Sequence, residues 1–241
     1  MIFAAFLLLL LSPVPIPESP RPYMIIWNVG QGAWTTVLVG EECWHFDMGG
    51  ETFPKAVEKL CRAKQNRLFI SHDDWDHIGF IPRLASWPRV CLYQSTRQIS
   101  SPRKQKIFDH LFLCDSKLQA LAQVREVEDS VHGKESNDLS RVYYLPIAQA
   151  LFPGDSTSLE ENWWARNTQN LKIKWWLLGH HGSQFSSSQK LMDELHHPWA
   201  AISSARYKRY RHPHPLIQAR LKLNRIPLLR TEDWGDLWIQ I

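Results

Sequence analysis

Two imidazoles and three carboxylates fall within six consecutive positions, His72-Asp73-Asp74-Trp75-Asp76-His77, directly after the apolar run Arg67 to Ile70. A folded chain seldom gathers that many ligand-capable groups at a strand end without a cation. Carboxylate oxygen and neutral imidazole nitrogen are both ligands for Zn²⁺ and Mn²⁺. Positions 72 and 74 point one way from the turn while 76 and 77 open onto a neighbouring point, so the spacing accommodates two adjacent divalent metal ions. The competing reading is a solvated acidic loop with two surface histidines.

Three further strand ends carry the same kind of group. Leu151-Phe152-Pro153-Gly154-Asp155 closes a strand on a carboxylate suited to bridging two cations. Leu177-Leu178-Gly179-His180-His181-Gly182-Ser183 closes another on two imidazoles, with glycines that permit close backbone approach. His212 follows Arg206-Tyr207-Lys208-Arg209-Tyr210-Arg211, in which Arg206, Lys208, Arg209 and Arg211 alternate with tyrosines. Cations neutralise phosphates and tyrosines stack on unpaired bases, so the segment suits DNA, single-stranded DNA in particular; a solvated basic loop is the alternative. His196 and His197 read as a surface helix end, and His45 and His110 carry no usable signal.

Short apolar runs alternate with helical spacing from residue 23 onward, which indicates one layered α/β domain over 23–241. Strands are expected at Met24 to Val29, Ala33 to Val39, Glu42 to Phe46, Arg67 to Ile70, Val142 to Phe152, Ile173 to Leu178, Ala200 to Ser203 and Leu237 to Ile241. Helices are expected around Phe53 to Cys61, Ile78 to Leu84, Gln189 to Leu195 and Ile217 to Leu223, with one more in the polar middle, residues 95 to 135. A hydrophobic share of 44% excludes a disordered chain, and a net charge of +4 is compatible with an anionic partner without demonstrating one. The four cysteines, Cys43, Cys61, Cys91 and Cys114, include no CxxC pair; free buried thiols are favoured over two disulfides.

Residues 1–12 form an apolar signal-like or anchor-like segment, too short to span a bilayer alone, and 13–22 form a proline-rich, stiff linker. The segment also fits the remnant of a preceding transmembrane helix or a mis-assigned start. Export or membrane anchoring on the extracytoplasmic side is the favoured reading, a cytoplasmic protein the alternative.

In their order along the chain, these motifs resemble the metallo-β-lactamase-fold domain of ComEC-type DNA-uptake (competence) proteins. The matching stretches are Trp27 to Gly32, His45 to Gly49, Ser71 to Gly79, Pro153 to Asp155, His180 to Ser188, and His212-Pro213, together with Thr231 to Gly235. The resemblance implies an αββα four-layer sandwich with metals at one edge between the sheets. It also implies a metal-dependent hydrolase, a nuclease or phosphodiesterase acting on DNA at the outer face of a membrane, partnered by a membrane channel or competence machinery.

On that basis His72 and Asp74 hold one ion (Zn or Mn), and Asp76, His77 and His181 hold a second. Asp155 bridges them, His180 is the alternative to His181, and Asp47 orients a ligand imidazole. Asp76 and His212 are the expected catalytic residues, His212 giving a proton to the leaving oxygen or binding the phosphate. Asp74 is characteristic of the ComEC-type branch. Asn28, Ala33 and Phe80 depart from its pattern, and the superfamily's third-motif histidine has no clear counterpart: Asn137 falls near that position, and His132 is the nearest imidazole. An amide carbonyl suits a harder ion than Zn²⁺ and predicts a weak first site. Two other functions stay open: hydrolysis of another ester or amide, and a non-catalytic module that binds DNA or a partner.

Overall fold

The computed structural model describes residues 21–115, 124–127 and 131–241. The apolar segment and the proline-rich stretch up to residue 20 lie outside the described residues. Among the described residues no helix is long and apolar enough to cross a membrane.

The first half of the chain builds β1 (Tyr23–Ile26), β2 (Thr35–Val39), β3 (Glu42–Phe46), α1 (Lys55–Cys61), β4 (Gln65–Phe69), α2 (Trp75–Ile78), α3 (Ile81–Leu84), β5 (Val90–Gln94) and α4 (Pro102–Phe108). The second builds β6 (Arg125–Glu126), β7 (Tyr143–Leu145), β8 (Ala150–Phe152), α5 (Ser158–Trp164), β9 (Trp175–Leu177), α6 (Gln189–Glu194), β10 (Ala200–Ser203), α7 (Tyr207–Tyr210), α8 (Pro215–Leu223), β11 (Leu228–Arg230), α9 (Thr231–Trp234) and β12 (Leu237–Gln240). One six-stranded sheet runs β12-β1-β2-β3-β4-β5 and the other β11-β10-β9-β8-β7-β6. In each, an antiparallel part passes into a parallel part. The parallel pairs are β3–β4 and β4–β5 in the first sheet, and β8–β9, β9–β10 and β10–β11 in the second.

Alternation along the strands sorts the apolar residues into layers. Met24 and Ile26 face inward with Val37, Trp44, Phe46 and Phe69, against Tyr143, Leu145, Phe152 and Ile202 of the other sheet. Phe46 stacks on Phe152 across that interface with ring centroids 4.3 Å apart. Ile25 faces the opposite way, into an outer core with Val57, Cys61, Ile78, Ile81 and Leu84 from the helices. A second outer core joins Trp164, Leu191, Leu195, Ile217 and Leu221 to Leu151 and Trp176. The chain is therefore the αββα four-layer sandwich.

Several local expectations are corrected. Val142 to Phe152 is a hairpin, because Pro146 interrupts the ladder and Gln149, at φ 52°, donates back to the Pro146 carbonyl. Ile78 to Leu84 is two short helices, the second opening on Pro82. Strands β5 and β11 and helix α5 were not expected. The thiol reading is overturned: Cys43 pairs with Cys61 and Cys91 with Cys114, at Cα separations of 5.9 and 4.9 Å. Sequence separations of 18 and 23 hid this closeness. The parallel connections bring the end of α1 back over β3, and the segment after α4 back beside β5. Among the described residues no free cysteine remains.

Candidate metal centre

The run that follows β4 is fixed from below by the turns that follow β1 and β3. Asp47 takes the left-handed conformation, φ 52°, and turns its carboxylate under the loop. Its Oδ1 accepts Ser71 N–H at 2.8 Å and its Oδ2 accepts Ser71 Oγ–H at 2.7 Å. Oδ2 also accepts from His77 Nδ1 at 2.8 Å, which leaves Nε2 of that ring facing the opposite way. Ala33 N–H donates to the Asp76 carbonyl, and Met48 N–H to that of His77. Gly49 lies so close beneath that an added Cβ would sit 2.1 Å from the Asp76 carbonyl carbon. Only glycine fits there.

The second sheet delivers the other half. Asp155 follows β8 through Gly154 (φ +56°), and its backbone N–H donates to Ser140 Oγ. After β9, His180 and His181 both adopt left-handed backbone, φ 50° and 56°, and Ser203 Oγ holds the His181 carbonyl at 2.8 Å. Two buried glutamates of α5 brace loops nearby. Glu160 accepts the N–H groups of His132 and Gly133, and Glu161 those of Ser187 and Ser188.

These elements bring five expected residues together. His77 Nε2 lies 2.9 Å from Asp155 Oδ1, and His72 Nε2 3.8 Å from Asp155 Oδ2. His181 Nε2 lies 3.2 Å from Asp76 Oδ2 and 3.7 Å from Asp155 Oδ1. Two sets converge closely enough to hold an ion: His72, His77 and Asp155; and Asp76, His77 and His181. His72, His77, Asp155 and His181 are all less than 5% exposed: 1%, 1%, 3% and 4%.

The donor atoms match the implied metals. His72 Nε2, His77 Nε2 and Asp155 Oδ1 are buried without a hydrogen-bond partner; the short His77–Asp155 approach lacks hydrogen-bond alignment. An unsatisfied buried polar group costs about 1–3 kcal/mol, so three in one cavity make it a candidate cation site. Nitrogen and carboxylate donors at this density suit Zn²⁺ or Mn²⁺.

The local electrostatics are those of a charged cluster. Burial favours a neutral His77, yet the carboxylates of Asp155 and Asp47 outweigh it and raise its pKa well above the ordinary value. Burial likewise opposes ionisation of Asp155, and His77 and His181 reverse this, holding it well below the carboxylate range. Asp76 is lowered in the same way: His181, through its hydrogen bond and charge, and His77 overcome burial. The His72 imidazole, 3.6 Å away, holds Asp74 down to about 2. Burial lowers His180, and burial followed by the charges of His181 and His180 lowers His212 to about 4.

Other expected residues stand at the margin. His180 Nε2 is 3.7 Å from Asp155 Oδ2, while its Nδ1 accepts from Asn137 Nδ2 at 3.3 Å. Asn137 Oδ1 is buried without a partner. Asp74 lies 3.6 Å from His72 Nε2 but belongs to neither convergent set. His212, with Nδ1 unpartnered, faces His180 at a ring distance of 6.0 Å, and the His212–Pro213 peptide is cis. His132 stacks on Trp163 instead, 4.0 Å between centroids. In the basic segment, Arg206 and Arg209 pair with Glu51 at 2.8 and 2.6 Å, whereas the side chains of Lys208 and Arg211 are exposed.

Sequence reasoning missed Ser71 as the link between Asp47 and the loop, the bracing pair Glu160 and Glu161, and Lys104 beside Asp74. Adjacent glutamates at the start of a helix read as ordinary first-turn acids, and only their burial distinguishes them.

No protein-family model matches the chain. It is 28% identical over 238 residues to Competence protein ComA of Neisseria gonorrhoeae, covering 93% of this chain and 33% of that protein. It is 25% identical over 184 residues to ComE operon protein 3 of Bacillus subtilis (strain 168), covering 70% of this chain and 24% of that protein. The chain thus spans a third or less of the length of these relatives. Among solved structures it is similar to the metallo-β-lactamase fold protein YhfI from Bacillus subtilis, with TM-score 0.59, 11% identity, and 90% and 100% of the two chains covered. The chain has the metallo-β-lactamase fold, and its sequence relatives are competence proteins of the ComEC family.

Proposed function

We propose that the chain is a metal-dependent phosphodiesterase that cuts DNA during uptake or processing, on the extracytoplasmic side of a membrane. The observation that carries this reading is the convergence of His72, His77 and Asp155, and of Asp76, His77 and His181, around buried donor atoms that lack partners. The competence relatives favour DNA as substrate, and the exposed Lys208 and Arg211 beside His212 offer charge to a phosphate backbone. The two disulfides favour an oxidising compartment, in keeping with export.

In this reading His72 and Asp155 would hold one divalent ion, and Asp76, His77 and His181 would hold the other. Bound there, the ions supply Lewis acidity toward a phosphoryl oxygen and toward water. The chain's own part is to hold donors and orient substrate. Asp47 keeps His77 in the Nδ1–H tautomer, so that Nε2 stays a free donor for metal. Asp76 presents a carboxylate that stays ionised throughout the neutral range, able to orient an attacking water. His212 is the neutral imidazole closest to the basic segment and donates a hydrogen bond to a phosphoryl oxygen.

A panel of single-stranded and duplex DNA, a generic phosphodiester, a lactam and a thioester tests the substrate class. Cleavage of DNA and of the phosphodiester is expected, lost in Asp76→Ala and in Asp155→Ala. Full activity in both variants, or turnover confined to lactam or thioester, contradicts the proposal.

A further inference from the structure

A lysine that the mechanism above leaves unused lies against an expected metal ligand. Lys104 projects from α4 with its side chain only 10% exposed. Its Nζ donates to Ser100 Oγ at 3.0 Å and stands 3.4 Å from both Asp73 Oδ1 and Asp74 Oδ1. Ser136 Oγ donates to the same Asp74 oxygen at 3.0 Å. Asp74 is therefore engaged through Oδ1, while its Oδ2 lies 3.6 Å from His72 Nε2, and it stands outside both convergent sets. Nearby, Asn137 spends its amide N–H on His180. The second ion position, in contrast, keeps Asp76, His77 and His181 together.

We propose that Lys104 is a built-in cation that makes the two metal positions unequal, offsetting the charge that Asp74 presents beside His72. An ammonium this close repels a divalent ion and weakens the field of the carboxylate that lies nearest His72. The ion at Asp76, His77 and His181 binds tightly and first; the ion at His72 binds weakly and last. Lys104 acts through Asp74, so it is a positioning residue. The inference rests on the two-ion reading above and adds to it the order of filling.

The test is calorimetric titration of Mn²⁺ and of Zn²⁺ into chelator-treated full-length protein. Wild type is expected to show one tight and one weak step. Lys104→Met should tighten the weak step by about ten-fold and leave the tight step nearly unchanged. Lys104→Gln, which keeps a donor for Asp74 without the charge, should shift it the same way, and Lys104→Arg should keep the wild-type isotherm. A purely structural role predicts the opposite, a loss of affinity on removing the lysine. Two equally tight steps in wild type, or a weak step unmoved or weakened in both neutral variants, overturn this inference alone. Absence of any metal binding in wild type overturns the phosphodiesterase reading and this inference with it.

Discussion

At the scale of single residues, the site depends on side chains whose hydrogen bonds leave one atom free. Asp47 takes three donors, from Ser71 N, Ser71 Oγ and His77 Nδ1, and thereby aims His77 Nε2. Replacing it with asparagine presents an amide that can donate as well as accept, and the ring loses its fixed tautomer. Asp47→Asn is expected to lower metal affinity by about 10–100-fold with the fold retained. Titration of the metal alongside circular dichroism checks it, and an unchanged affinity contradicts the role.

His45 shows what the sequence did not reveal. No role for its ring was read from the sequence, yet it is fully buried: Trp34 Nε1 and Thr36 Oγ1 donate to Nδ1, and Nε2–H donates to Asn66 Oδ1. Burial, opposed only by the Asn66 bond, pushes its pKa down to about 4 from 6.5. The unfolded chain therefore takes up this proton first as pH falls. Stability present at neutral pH is lost between about 6.5 and about 4, by roughly 3 kcal/mol in all. Urea unfolding of chelated protein across that window should show a smaller pH slope for His45→Gln than for wild type. Equal slopes contradict the assignment.

At the scale of elements, the ligand run was legible because it sits in contiguous sequence at the end of an apolar strand. The loops that brace it were not, because their partners are remote in the chain. Gly49 touches the Asp76 backbone, and Glu161 holds Ser187 and Ser188. Gly49→Ala has nowhere to put its methyl group, since the obstructing atoms are backbone. The variant is expected to lose metal-dependent activity and to unfold at lower temperature than wild type, which thermal melts and a metal titration would detect.

The disulfides belong to the same scale. Each joins a strand to a segment roughly 20 residues away, and closing such a loop stabilises by about 3 kcal/mol. Melting with and without reductant measures this, and alkylation of unreduced protein should label no thiol. Ready labelling of all four cysteines would restore the free-thiol reading.

At the scale of the whole molecule, the alternation of strand and helix indicated one layered α/β domain, and the four-layer sandwich came from the family resemblance. The division into two sheets was implied only by the family resemblance, since periodicity does not say which strands pair. The site lies where the two sheets meet: His72, Asp76 and His77 come from the first half and Asp155, His181 and His212 from the second. The basic segment before His212 stands at this junction too, and here the sequence overstated the free charge, because Glu51 pairs with both Arg206 and Arg209 and offsets one of their two charges. Single-stranded DNA affinity is expected to fall with salt. Lys208→Ala with Arg211→Ala should reduce the log–log slope by about 1.4, from about 0.7 per lost phosphate contact. A slope unchanged in the double variant places the DNA elsewhere.

The central claim is that distant loops converge to hold divalent ions that work on DNA. The direct measurement is metal content together with DNA cleavage for the purified full-length protein, before and after chelation. The account predicts at least one tightly held Zn²⁺ or Mn²⁺ per chain and cleavage abolished by chelator and restored by added metal. Cleavage that survives chelation, or a chain that binds no metal, contradicts it.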